Sequence, residues 1–283
     1  MRLGLLFLIM LTLSTAFASD KSKLIILSHA YFDNETDKNS VNYHLVKAIQ
    51  PALGNEFHLK LQFTNHARQI KRLSSNEPSC TFNAIKTPER KQNMLFSTVP
   101  TFMHVQRQLF GLKNELKSKP SDISVEQLLH KNYIFGIIGS TSYQQLDKLF
   151  ASNASNVAVI YGENPFLQLS NLLMNNRIDF IIGYQETLFA HLTVEQQSLI
   201  ESRPIIELPK FINGYFACSK TPQGRRAMEL MNNYMKTHDM AAYFKEIHTN
   251  NSRPEDTQAM LDIYTKTYGI NFKNAPSPVQ KTH

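Results

Sequence analysis

Thr87-Pro88-Glu89-Arg90, followed closely by Phe96-Ser97-Thr98-Val99-Pro100, is the most informative stretch of this 283-residue chain. Thr87 can cap a helix, Pro88 suits its first position, where an N–H would go unpaired anyway, and Glu89 complements the positive end of the helix dipole. Arg90 breaks that logic. A cation in the first turn of a helix is disfavoured unless it meets an anion that the same helix end attracts. A guanidinium holds a carboxylate through two parallel hydrogen bonds, which a lysine cannot reproduce. On spacing alone the alternative is an exposed arginine pointing away from the helix end.

Upstream of this stretch the chain alternates between strand and helix patterns. Residues 24–27 form a short apolar run, 41–53 have helical spacing stopped by Gly54, 57–63 alternate like a strand, 67–73 read as a helix and 80–85 as a third strand. A second series starts after the linker-like Lys117-Ser118-Lys119-Pro120-Ser121. It has a helix over 125–129, strands over 134–138, 157–161 and 178–182, and intervening helices over 143–150 and 165–174. Past Leu208-Pro209 come a strand over 215–218, helical segments over 224–235 and 257–268, and a tail rich in Pro, Lys and Ser. Two α/β units predict two lobes with a cleft between them, and open α/β sheets bind ligands outside the carboxyl ends of their strands. The predicted boundaries are 23–108 with 210–270 for a discontinuous first lobe, 109–209 for the second, and 271–283 for a flexible tail. The chain is expected to cross between lobes near residues 107–112 and 208–211.

The amino terminus reads as an export signal: Arg2, an apolar run over 3–13, and Ala16-Phe17-Ala18, the small-x-small pattern of a cleavage site. Cleavage after Ala18 is expected to release a soluble protein into a periplasm-like space, because the run is too short to anchor it and no cysteine stands nearby for acylation. The formal charge of +7 is spread along the chain rather than gathered into a basic stripe, so nucleic acid is not an expected partner. The ten histidines show no zinc-ligand spacing, and no Gly-x-Ser-x-Gly elbow occurs, so neither metal nor other cofactor is expected. Cys80 and Cys218 are the only cysteines. In an oxidising compartment such a pair is more often bridged than free, the alternative being two buried thiols that pack like small apolar groups.

The order strand, Thr-Pro-Glu-Arg, Phe-Ser, Pro and an extended run resembles the type II periplasmic solute-binding proteins, especially family 3, which bind amino acids and related solutes. The resemblance covers nearly the whole mature chain and continues at Gly139-Ser140-Thr141-Ser142, Asn176-Arg177-Ile178-Asp179-Phe180 and Tyr215-Phe216-Ala217-Cys218-Ser219-Lys220. It implies an α/β, two-lobed fold with the ligand between the lobes. It also implies that Arg90 binds the ligand carboxylate, and that Ser140, Thr141 and Ser142 start a helix in the opposite lobe with hydroxyls and N–H groups facing the ligand. Plain capping is the alternative for those hydroxyls. The chain departs from the amino-acid binders at Tyr184, where they usually carry the Asp that pairs with the ligand ammonium, although Glu186 follows two residues on. Tyr31, in the loop after the first strand, supplies a ring that can pack on the solute, as can Phe82, for which a core role is equally open.

The function so implied is capture of a small anionic or zwitterionic solute by a monomer that passes it to a membrane permease of an ABC-type importer. One alternative is a sensor that reports occupancy to a membrane receptor. Another is a cleft enzyme such as a dehydratase, for which no acid or base is evident in the sequence, so no enzymatic activity is expected.

Overall fold

The computed structural model describes residues 21–29 and 41–273. Tyr31, the leader 1–18 and the tail beyond 273 lie outside the described residues. Ten strands among the described residues form two five-stranded sheets. The first contains β1 (Ser22–His29), β2 (Phe57–Thr64), β3 (Ser79–Ile85), β4 (Met94–Val105) and β10 (Phe211–Ser219), in the order β2-β1-β3-β10-β4. The second contains β5 (Gln108–Leu112), β6 (Phe135–Ile138), β7 (Val157–Ile160), β8 (Phe180–Gly183) and β9 (Ile200–Pro204), in the order β7-β6-β8-β5-β9. In each sheet three parallel strands are followed by two antiparallel ones.

Alternation along the strands explains why helices cover both faces. Leu24 and Ile26 join the large core under helices Val41–Leu53, Pro222–Tyr234 and His238–Asn251, whereas Ile25 and Leu27 turn to the opposite face, against Leu73 and Met94. The second sheet repeats this pattern. Leu109, Phe180 and Ile182 face one cluster, and Phe110 and Ile181 the other. The unbroken apolar run of β1 is what a strand buried on both sides requires.

Helices Val41–Leu53 and Pro165–Met174 have the bounds expected from the sequence. The helix expected over 143–150 instead starts at Leu146. Ser140 and Gln144 take left-handed backbone (φ 63° and 59°), and the Asp147 carboxylate accepts from Ser142 Oγ (2.7 Å) and Tyr143 N–H (2.6 Å), so the chain there closes on itself as a loop. Strands β5 and β9 were not read from the sequence. The second, Ile-Glu-Ser-Arg-Pro, is an edge strand whose charges hide its alternation.

Cys80 and Cys218 face each other in register on β3 and β10 and form the expected disulfide, with Cα atoms 4.0 Å apart and both residues fully buried. Farther along the same strand pair Asn83 adopts φ 56°, and a Cβ on Gly214 would come within 2.7 Å of the Asn83 Cα. Glycine at 214 lets β10 approach that kink, next to which the register of the pair shifts between Tyr215 and Ala217.

The chain leaves the first sheet after Val105, enters the second at Gln108, and returns between Pro204 and Phe211. Gln106 ties the two crossings together: its Nε2 donates to the carbonyls of Ile205 and Leu208, both at 2.7 Å. No helix among the described residues is long and apolar enough to cross a membrane.

Candidate functional site

A cleft of about 640 Å³ opens between the two sheets. Leu27 and Ser28 of β1, Thr81, Phe82, Asn83 and Ile85 of β3, Ile138 of β6, and Ile182 and Gly183 of β8 line it. All of these lie toward the carboxyl ends of parallel strands, where the N-termini of the following segments converge.

Arg90 reaches the cleft from helix Pro88–Asn93, whose first turn is capped as the sequence predicts: Thr87 Oγ1 accepts from Arg90 N–H at 3.2 Å. Its guanidinium donates to Ile85 O (3.2 Å) in its own sheet and to Ser140 O (2.8 Å) across the cleft. Burial pushes its pKa below the usual arginine value, with Asp147 and Glu89 opposing, yet a guanidinium stays charged throughout the physiological range. A second cation, Arg107, follows the end of β4 and is only 8% exposed. It donates from Nη1 to Ser142 O at 2.6 Å and sits 4.9 Å from the Tyr143 ring and 5.7 Å from that of Tyr184. Among the described residues neither arginine forms an ion pair.

The loop at 140–142 meets these cations differently from the way the resemblance implied. With no helix starting there, it offers carbonyls rather than N–H groups, and it offers them to the arginines. Thr141 and Ser142 line the cleft, but Ser142 Oγ is engaged with Asp147 and with Gln144 N–H (3.1 Å). Ser140 contributes its carbonyl. Tyr184 follows β8 and lines the cleft, its ring stacked on His104 at a centroid distance of 5.4 Å. Phe82 packs in the core and also lines the cleft.

Neither a protein-family profile nor a curated protein matches the chain. Solved structures do. An ancestral arginine-binding protein bound to arginine superposes with a TM-score of 0.60 at 19% identity, covering 81% of this chain and 98% of that one. An amino acid ABC transporter substrate-binding protein from Streptococcus pneumoniae bound to L-arginine gives 0.55 at 14%, over 85% and 93%. The ancestral amino acid-binding protein described as a precursor of cyclohexadienyl dehydratase gives 0.56 at 14%, over 82% and 96%. The fold is the two-lobed, type II periplasmic-binding-protein fold.

Within this binding-protein fold two histidines back the cleft. His104 lines it between Phe102 (4.6 Å) and Tyr184, and burial, helped by the nearby Arg107 and His248, drives its pKa down to about 3. His248 lies behind Phe102, stacked at 4.8 Å, fully buried, with no partner for Nδ1 and a pKa lowered by burial to about 3. Both are neutral near pH 7. The unfolded chain takes up a proton at each near pH 6.5, whereas the folded chain does so only near 3. Stability is therefore unaffected by them above the unfolded value and is lost as pH falls through the window between the two, by up to about 1.4 kcal/mol per pH unit for each histidine. His248→Phe is expected to reduce the loss of unfolding free energy between about pH 7.5 and about pH 5 by about 2 kcal/mol, as measured by urea titration at each pH. An unchanged pH dependence would exclude a neutral, buried His248.

Arg107 and His104 were not found as site residues in the sequence. The available signal was a polar Gln-Arg-Gln at 106–108 interrupting two apolar extended runs. Nothing local distinguishes that pattern from a solvated turn.

Proposed function

We propose that the protein is an exported solute-binding protein that captures a small anionic or zwitterionic solute between its lobes for ABC-type uptake. The observation that carries this reading is the pair of guanidiniums, Arg90 and Arg107, presented to the cleft with carbonyl partners and no carboxylate. A desolvated cation without a counter-ion is costly, and a bound anion removes that cost. Segments 23–108 with 210–270 and 109–209 act as the two closing lobes, with the crossings near 107–112 and 208–211 as hinges. The ligand site comprises Arg90, Thr141, Ser142 and Tyr184 from the sequence reading, joined by Arg107, with Ser140 orienting Arg90. The leader at 1–18 directs the chain to the periplasm, where it acts as a monomer and delivers its solute to a membrane permease. The role is binding without turnover: His104, a weak base when buried, and Glu186, exposed at the rim, make a poor acid–base pair.

A thermal-shift screen of the mature protein against amino acids, small carboxylates, peptidoglycan fragments and polyamines tests this reading. A carboxylate-bearing ligand at a hundred times its Kd adds about 2.7 kcal/mol and is expected to raise Tm by about 5–10 °C, with polyamines inert. A rise with polyamines alone, or with no compound, would refute it.

A further inference from the structure

The resemblance accounts for one cleft arginine, but the structure holds two. Arg90 comes from the first sheet and Arg107 from the crossing. They bond to the carbonyls of Ser140 and Ser142, two positions apart on one loop, which sets the two guanidiniums near each other. Carbonyl dipoles and the Tyr143 and Tyr184 rings ease these charges without neutralising them. A guanidinium carries five N–H donors, and the described protein contacts use only some of them.

The nearby acids do not balance the pair. Asp147 and Glu89 act on Arg90 through space and offset its charge only in part, neither forms an ion pair with either arginine among the described residues, and Glu186 is exposed at the rim. Tyr184 stands where a carboxylate for a ligand ammonium was expected, so a zwitterion would bring a third cation to a cleft already short of anions.

We propose that the solute carries two negative charges, one met by Arg90 and the other by Arg107, as in a small dicarboxylate or a phosphate monoester. This rests on the solute-binding reading and narrows its ligand class.

Calorimetry on the mature protein tests it with the dicarboxylates from malonate to suberate, each against the monocarboxylate of equal length, and with glycerol phosphate against glycerate. At least one dianion is expected to bind about tenfold or more tightly than its monoanionic counterpart. Which arm shows the margin tells two carboxylates from one phosphoryl group. Arg107→Gln should abolish the margin by weakening the dianion about tenfold or more beyond any loss for the monoanion, whereas an arginine that only braces the loop would weaken both alike. Arg107→Lys, which keeps the charge, should retain part of the margin. The comparison in the unaltered protein stands even if Arg107→Gln fails to fold. No margin for any dianion, or a margin unchanged in a folded Arg107→Gln, would overturn the proposal. If a monocarboxylate or an amino acid binds as well as any dianion and does so through Arg90, solute capture stands and the second-charge inference falls. If nothing binds here or in the thermal-shift screen, both fall.

Discussion

Arg90→Ala is expected to weaken solute binding by about 2–5 kcal/mol while leaving the fold intact, the scale for removing one partner of a desolvated charge pair. The size of the effect follows from the setting. The guanidinium is held in place before any solute arrives, by Ile85 O and Ser140 O, so little of its binding energy goes into ordering the side chain. The fold is spared because the Thr87 cap accepts from the backbone N–H of residue 90, which alanine keeps, and because the side chain belongs to no core cluster among the described residues. Arg90→Lys should also lose affinity, since an ammonium cannot reproduce a planar two-bond grip. Calorimetry with the solute found by thermal shift, on the unaltered protein and both variants, measures this directly. Affinity unchanged in Arg90→Ala would remove the cleft arginine from the binding reading.

Arg90 was legible because it violates a local rule, and Arg107 was hidden because it violates none. A cation in the first turn of a capped helix conflicts with the dipole, and such conflicts between local physics and sequence gather at functional sites. Arg107 conflicts only with its surroundings in three dimensions: it is buried because β4 and β5 belong to different sheets and the crossing between them passes under Tyr143 and Tyr184. No window of sequence contains that fact. The loop at 140–142 shows the converse error. Its hydroxyl-rich start is a good helix cap by composition, but Asp147 supplies a stronger acceptor to the same donors and draws the chain into a loop. The α/β class, the uninterrupted buried strand at 24–27 and the helices at 41–53 and 165–174 were readable because each is written in periodicity. Short edge strands with charged residues were not.

The cysteine pair was legible by count, whereas its register was not, and the register is what gives it consequence. Cys80 and Cys218 close a loop with a sequence separation of 138 and join β3 to β10, the strand on which the chain returns to its first sheet after building the whole of the second. In the unfolded chain that link removes much of the conformational freedom of every residue between them. By the loop-entropy relation this is worth about 4–5 kcal/mol, a large share of the about 5–15 kcal/mol that stabilises a typical native protein. Replacing both cysteines by alanine in the mature protein is therefore expected to lower the unfolding free energy by that amount. The urea midpoint should fall, with a steeper dependence on urea because an uncrosslinked denatured chain exposes more surface. Solute affinity well below the new midpoint should hold, since neither sulfur lines the cleft. Reductant added to the unaltered protein should reproduce the shift and should do nothing to the double variant, which separates loss of the crosslink from the small change in core volume. A midpoint that is the same with and without the bridge would show that the return strand is held by its ladder and core alone.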